Sequence, residues 1–177
     1  MRQAWNLYVR MMRVHPVKTQ VITTATLMLS GDLIAQKVLE RRTSIDVPRA
    51  ARFFVIGIGF MGPVLRVWYL TLERVVAGRA VVVKKVLLDQ GVFTPLLIPS
   101  FLVTLGALQQ RSWDDIKRTV RADFLPILKA NYALWPAAQL INFRFVPLNY
   151  RVPFASCVAL VWNTYLAWKA NRTVEKM

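Results

Sequence analysis

Long apolar runs bounded by charged residues are the feature that most constrains this chain. Four such runs stand out in the sequence: Val17 to Leu39, Phe53 to Leu72, Val92 to Leu108 and Val152 to Trp168. A helix needs roughly 20 apolar residues to cross the hydrocarbon core of a bilayer, and charged residues mark the points where it leaves the lipid. The pattern therefore predicts an all-α integral membrane protein.

A further run, from Tyr132 to Leu148, is more polar than the others. It contains Pro136, Gln139, Asn142, Arg144 and Pro147. Such residues are tolerated at membrane depth only where they face other helices or a wet cavity, so the sequence leaves open whether this run spans the membrane. The prediction for residues 1–177 is a single domain built on a bundle of four to five transmembrane helices.

Two other segments have the pattern of interfacial amphipathic helices. Near the N-terminus, an apolar stripe at helical spacing runs from Trp5 to Met12. In the centre of the chain, apolar residues recur every three or four positions from Trp113 to Ile127, with basic residues on the opposite side. Helices of this kind lie in the plane of a membrane surface. We therefore expect an N-terminal and a central interfacial helix in addition to the bundle.

The net charge of +15 accompanies a positive mean hydropathy of +0.37. The basic residues lie in the gaps between apolar runs and do not form one helix face, so we expect no direct nucleic-acid binding. Membrane lipids, including anionic lipids, are the expected partners. No acidic residue precedes Asp32, which gives the N-terminus the character of a mitochondrial import signal. A retained anchor helix fits this segment equally well.

Residues for common catalytic and metal sites are scarce. Cys157 is the only cysteine and His15 the only histidine, so no disulfide can close within the chain and no Cys/His metal cluster can form. We expect Cys157 to be buried and inert. The sequence has no glycine-flanked nucleophilic serine in a strand-turn-helix context, and its acidic residues are scattered. We therefore expect neither a metal, nor a cofactor, nor an enzymatic activity.

Glycines within the second apolar run match the spacing of a dinucleotide-binding loop, but their context argues against that function. The motif requires a preceding strand and a following helix, whereas Gly57, Gly59 and Gly62 lie inside an apolar run and are followed by Pro63. Small residues of this kind allow transmembrane helices to approach closely. We expect Gly57 and Gly62 to lie at a helix contact and Pro63 to produce a kink.

Asp32, inside the first run, is the first candidate for a functional residue. A carboxylate at membrane depth is costly, so it usually faces a water-filled cavity or pairs with a cation. Gln36 lies one helical turn further on. Two interpretations remain open: the pair lines a hydrated path, or it holds helices together through an ion pair with Arg66 or Arg144.

Other polar side chains are spread over the later apolar runs and suit the lining of a hydrated path. If Arg66 and Arg144 also lined this path, an anion preference would follow, because cations in a low-dielectric pore attract anions. The remaining lining candidates are Asp89, Gln90, Asn131, Gln139, Asn142 and Asn163.

Two stretches near the C-terminus carry a family resemblance. The sequence NYALWPAAQLINFRFVPLNYR, from Asn131 to Arg151, includes Trp135, Pro136 and Pro147, and WNTYLAWKA begins at Trp162. Both resemble signature blocks of the family named for MPV-seventeen and the twenty-two-kilodalton peroxisomal membrane protein. The likeness extends nearly end to end and is strongest to the mitochondrial branch of the family.

The resemblance implies a helical bundle in the mitochondrial inner membrane, or alternatively in the peroxisomal membrane, with a channel-like role for small solutes or ions. It also implies links to membrane potential, reactive oxygen species, mitochondrial nucleotide supply and mitochondrial DNA maintenance. The sequence does not name the solute. A homo-oligomer is one way to pass a large solute, because a bundle of this size has little room for a wide pore. The alternative function is a non-conducting membrane scaffold.

Overall fold

A computed structural model describes residues 2–145 and 151–175 of the chain. Within these ranges the protein consists of helices joined by short turns, without a β-strand, so the predicted all-helical class is confirmed. The α-helices are α1 Arg2–Val14, α2 Pro16–Ile34, α3 Val47–Ile56, α4 Gly62–Val75, α5 Val81–Leu88, α6 Thr94–Leu108, α7 Trp113–Phe145 and α8 Arg151–Glu175.

Short π-helical turns extend or join these helices. The turn Ala35–Leu39 extends α2, Gly57–Met61 joins α3 to α4, and Asp89–Phe93 joins α5 to α6. The last two come immediately before a helix with proline in its first two positions, Pro63 and Pro95. Proline has no N–H to donate to the preceding turn, and a π turn is one way in which a helix accommodates such a break. A π turn thus directly precedes Pro63, and the kink expected at this residue stays a prediction.

Two helical segments of the described chain are long and apolar enough to cross a membrane. They are Val47–Leu72 and Val81–Leu108, which correspond to the second and third apolar runs. The predicted count of four to five spans is not confirmed by this criterion. The remaining long helices contain more polar residues: α2 carries Asp32, and the first turn of α7 carries Asp114 and Asp115.

The central interfacial helix predicted from Trp113 to Ile127 is not a separate surface element, and this prediction is wrong. The segment is the first half of the 33-residue helix α7. Ile116 and Ile127 on its apolar face are buried in the bundle. Hydrophobic periodicity identifies a helix with one apolar face, but it does not tell whether lipid or protein covers that face. The N-terminal amphipathic helix is present as α1, and its location on a membrane surface stays a prediction.

The core joins five helical segments. Met28 of α2, Phe53 of α3, Phe101 of α6, Ile127 of α7 and Leu166 of α8 all belong to one buried cluster. The rings of Phe53 and Phe101 lie 6.1 Å apart. Burial of large side chains such as these is the main favourable term that holds helices together outside a membrane, and close packing replaces it within one.

From α2 onward, successive helical segments along the chain run in alternating directions, which leaves the packed neighbours α2 and α8 parallel. Arg42 follows α2, Arg49 lies in the first turn of α3, Arg111 follows α6 and Asn171 lies near the end of α8, yet all four line one pocket. Helix α7 also begins here, because Arg111 Nη1 donates to Thr119 Oγ1 at 2.8 Å. This end of the bundle, which we call the arginine end, therefore gathers the ends of three helices and the beginnings of two.

Glycines set the closest approaches of α2 to its neighbours. A Cβ added to Gly57 would lie 2.4 Å from Ala25 Cα, and one added to Gly31 would lie 2.6 Å from Asn163 Cβ on α8. A Cβ at Gly62 would lie 3.0 Å from Val21 Cα. The predicted role of Gly57 and Gly62 in close helix packing is therefore confirmed.

Replacing Gly57 by Ala should destabilise the fold, because overpacking of a tight contact costs about 1–3 kcal/mol. Gly59 occupies the same π turn, but a Cβ there meets nothing within 4 Å. Gly59→Ala is the matched control and should be neutral or stabilising, since a helix favours Ala over Gly by about 1 kcal/mol. Thermal unfolding in detergent micelles measures both variants. Equal midpoints would contradict the packing argument.

Candidate functional site

A buried ion pair links α2 to α3. Asp32 Oδ1 accepts a hydrogen bond from Arg49 Nε at 2.6 Å, and the two side chains are 0% and 3% exposed. The same guanidinium continues to Glu40, with Nη1 and Nη2 donating to the two carboxylate oxygens at 2.8 and 2.7 Å. Paired N–H donors matched to a carboxylate make the strongest type of protein ion pair. Arg49 thus bridges two acidic groups.

A neighbouring amide closes the network around the turn after α2. Gln36 Nε2 donates to Asp32 Oδ2 at 2.7 Å, and Gln36 Oε1 accepts from the backbone N–H of Asp46 at 2.7 Å. Asp46 is the N-cap of α3, where its Oδ1 accepts from the backbone N–H of Arg49 at 2.9 Å. An N-cap of this kind fixes where a helix begins. The turn is therefore held in one geometry by side chains from both helices.

The structure changes the interpretation of Asp32 and Gln36. Both are fully buried in the ion-pair network and lie outside the polar cavity described below, which favours the interpretation that they hold helices together; lining of a hydrated path by them stays a prediction. The prediction that Asp32 pairs with Arg66 or Arg144 is wrong, because its partner is Arg49. One sequence signal could have identified Arg49: it shares a helical face with the buried residues Phe53 and Ile56.

A cavity of about 150 Å³ lies between the helices, away from the arginine end; most of its wall is apolar, and we call it the polar cavity for the polar side chains that converge on it. Side chains of α2, α4, α6, α7 and α8 and of the turn before α6 line it. Five of the predicted lining candidates meet here: Asp89, Gln90, Asn131, Gln139 and Asn163. The aromatic rings of Trp135 and Trp162, two residues predicted as structural motif positions, also lie in its wall. The cavity therefore brings together polar residues that are far apart in the sequence.

Hydrogen bonds orient the polar groups on one side of this cavity. The Asp89 carboxylate accepts from Trp68 Nε1 at 2.8 Å and from Gln90 Nε2 at 2.7 Å. The Trp68 ring is stacked on Phe93, with centroids 4.5 Å apart. Tyr132 donates its hydroxyl to the backbone carbonyl of Gln90 at 2.7 Å. Neither Trp68 nor Tyr132 was among the sequence candidates, because an aromatic residue in an apolar run gives no sign of its polar partner.

Two buried acceptors in the cavity wall have no protein partner among the described residues. They are Gln90 Oε1 and Asn131 Oδ1. A buried oxygen without a hydrogen bond costs about 1–3 kcal/mol. A water molecule needs about 10–15 Å³ and two or more polar partners. The volume and lining of the cavity meet both needs, so its geometry fits hydration.

The two predicted cations lie elsewhere. Arg66 is half-buried on α4 and Arg144 is exposed near the end of α7, and neither lines the cavity. Asp89 is the only ionisable group among the described lining residues. The geometry therefore gives no basis for the anion preference expected from these arginines. Their positions follow from the rotation of each helix about its axis, which spacing alone does not give.

Three further predictions concern the C-terminal part of the chain. Pro136 lies inside α7, which continues through it to Phe145. Pro147 lies outside the described residues, as does the side chain of Asn142. Cys157 is exposed, so the prediction of a buried thiol is wrong. An apolar run that faces outward from a bundle places its cysteine at the surface as readily as in the core.

Comparisons with known proteins assign the chain to a family. The model of the Mpv17/PMP22 family matches residues 106–167. The chain is 44% identical over 173 residues to the mitochondrial inner membrane protein Mpv17 of Bos taurus, a match that covers 95% of this chain and 98% of that protein. The chain belongs to the Mpv17/PMP22 family. Its identity to the Homo sapiens relative of the same name is also 44%, over 95% and 98% of the two chains.

A fungal member of the Mpv17/PMP22 family is also similar. Protein SYM1 of Gibberella zeae is 38% identical over 159 residues, which cover 86% of this chain and 89% of that protein. No solved structure matches the chain. Relatives named as mitochondrial inner membrane proteins, at 38–44% identity over nearly the full length, identify this family member as a protein of the mitochondrial inner membrane.

Breaking the buried ion pair should be strongly destabilising. Arg49→Met leaves the carboxylate of Asp32 buried without its cation, and an uncompensated buried charge costs about 3–5 kcal/mol. The double variant Asp32→Asn, Arg49→Met should recover part of this loss because it removes the stranded charge. The control is Asp114→Asn, which removes an exposed pair with Lys117 at 3.6 Å and should cost less than about 1 kcal/mol. Chemical unfolding in micelles measures the free energy of unfolding of all three variants. If Arg49→Met lowers this free energy no more than Asp114→Asn does, the stabilising role of the buried ion pair is contradicted.

Glu40 should make the stability of the fold pH-dependent. Burial opposes ionisation of Glu40, but hydrogen bonds from Arg49 and Arg42 outweigh it and lower the pKa of this carboxyl below its ordinary value of 4.5. A carboxyl whose pKa is lower in the folded state than in the unfolded state stabilises the fold at pH values above its unfolded-state pKa. This stabilisation is lost as the pH falls through the folded-state pKa. Glu40→Gln should therefore be less stable than the parent protein at neutral pH. The difference between their free energies of unfolding should become smaller as the pH falls below 4.5. A difference that stays constant with pH would overturn this assignment.

Proposed function

We propose that this Mpv17/PMP22 family member is a channel-like, non-enzymatic protein that passes ions or small solutes through the polar cavity between its helices. The cavity supports this proposal because five polar side chains from three segments, the turn before α6, α7 and α8, converge on it inside a helical bundle. Polar groups at membrane depth are costly, and they are commonly retained where they line a hydrated path. Membrane lipids are its surroundings.

The unpartnered acceptors carry the proposal. Gln90 Oε1, in the turn before α6, and Asn131 Oδ1, on α7, belong to residues of the cavity wall and lack a protein donor among the described residues. Water or a solute with N–H or O–H groups would satisfy both. Selectivity by such a lining depends on the number and kind of polar groups along the path. A mostly apolar wall with two unpartnered oxygens and one carboxylate suits a cation or a neutral hydrogen-bond donor.

The size of the cavity limits the solute. Ligand sites for drug-sized molecules occupy about 300–1,000 Å³, whereas this cavity measures about 150 Å³. Ions and solutes of a few heavy atoms fit this volume. Passage of a nucleotide, as the family link to mitochondrial nucleotide supply and DNA maintenance implies, requires a wider state or a path formed by several copies of the chain.

A non-conducting scaffold is the second candidate. The ion-pair network favours it, because Asp32 and Gln36 serve to hold helices together and lie outside the polar cavity. Interhelical polar contacts of this kind serve assembly as well as transport. A channel requires continuous water through the polar cavity, whereas a scaffold does not. Conductance and thiol labelling distinguish the two.

Conductance through the purified protein should depend on the cavity wall. We expect discrete openings in planar bilayers and a roughly two- to fivefold lower conductance in Asn131→Leu, because leucine removes a polar group from the path. Leu140→Ala is the control: Leu140 is 49% exposed on the outer side of α7 and lies outside the cavity wall, so its conductance should be unchanged. Well-folded protein that gives a silent bilayer would favour the scaffold.

Thiol labelling provides an independent readout of the same path. With exposed Cys157 replaced by serine, Gln139→Cys in the cavity should react with a small charged thiol reagent in proteoliposomes. Leu140→Cys, one residue further on, should be protected by lipid. Protection at both positions would show a dry cavity and reject the channel.

A further inference from the structure

A second pocket, of about 360 Å³, lies at the arginine end of the bundle. We call it the arginine pocket. Its wall contains four guanidinium groups from three separate segments. These are Arg42 in the turn after α2, Arg49 and Arg52 in the first two turns of α3, and Arg111 between α6 and α7. The amide residues Gln109 and Asn171 complete the wall.

Carboxylates bind some of these arginines. Asp32 and Glu40 bind Arg49, Glu40 also accepts from Arg42 Nε at 2.7 Å, and Asp46 lies in the pocket wall. Among the described residues, the wall itself contains four arginines and one carboxylate, that of Asp46. A guanidinium group has five N–H donors. A guanidinium group that already binds a carboxylate or a hydroxyl therefore still has donors for a further acceptor.

Arg52 is the arginine of the pocket that is best placed to bind an added anion. It is half-buried one turn after Arg49, and among the described residues it has no carboxylate partner. A partly buried cation is screened less by solvent than an exposed one.

We propose that the arginine pocket binds a phosphate-bearing anion. Guanidinium forks match the oxygens of phosphate in pairs, and several forks directed at one pocket suit a group with three or more oxygens. The volume lies within the range of small-molecule sites. The pocket sits where the helices leave their apolar runs, so both a lipid headgroup and a soluble phosphate compound can reach it. This site is independent of conduction through the polar cavity.

The test measures phosphate binding to the full-length protein in zwitterionic micelles and in nanodiscs. Pyrophosphate titrated by calorimetry probes the soluble source. Nanodiscs of phosphatidylcholine with a minor fraction of phosphatidic acid, analysed for retained lipid by native mass spectrometry, probe the headgroup source. Arg52→Gln should weaken binding about tenfold in at least one arm, because it removes a charge-assisted contact. Arg52→Lys, which keeps the charge but loses the fork, should weaken it less.

The control is Arg121→Gln. Arg121 is exposed on α7 toward the arginine end and outside the pocket, so this variant makes the same change in net charge. If Arg52→Gln weakens only the binding of pyrophosphate, the ligand is a soluble phosphate compound. If it weakens only the retention of phosphatidic acid in nanodiscs, the ligand is a lipid headgroup. Equal effects of Arg52→Gln and Arg121→Gln, or no binding in either arm, would overturn the proposal. If Arg52→Gln does not fold, unchanged binding in Arg52→Lys overturns it.

Discussion

One buried guanidinium holds the arginine end of the bundle together. Arg49 binds Asp32 on α2 and Glu40 in the following turn, and its Nη2 lies 3.4 Å from the carbonyl oxygen of Ala167 on α8. In a low-dielectric interior each of these charges would be costly alone, so the groups are stable only in this arrangement. The pairing therefore fixes how α2, α3 and α8 meet, and the remaining helices pack around that contact.

Close helix contacts and the polar cavity follow from this arrangement. Helix α2 touches α8 at Gly31 and Asn163, and touches the turn after α3 at Ala25 and Gly57. The cavity lies beside these contacts, since Asn163 and neighbours of Ala25 also belong to its wall. Small residues bring the helices close at some levels, whereas larger side chains such as Trp135 and Trp162 hold them apart at others. A cavity remains where neither fills the space.

The two pockets differ in chemistry because they lie at different levels of the bundle. The polar cavity, between apolar helices, contains amide groups and a single carboxylate among its described residues. The arginine pocket, at the helix ends, contains four guanidinium groups. Charged side chains cost little free energy at the helix ends, where water and headgroups are near, and much more in the middle of the apolar runs. A cavity with buried polar groups and a pocket lined by arginines can therefore exist in one small protein.

Composition and local spacing were enough to predict the helical class, the apolar runs, the close packing at Gly57 and Gly62 and the family. The same patterns identified Asp89, Gln90, Asn131, Gln139 and Asn163 as polar residues in apolar surroundings. The three-dimensional packing was needed to show that these five share a cavity, that Asp32 pairs with Arg49, and that α7 is one continuous bundle helix. Those outcomes depend on how each helix is rotated and which neighbour covers it, and such long-range choices leave no local pattern in the sequence.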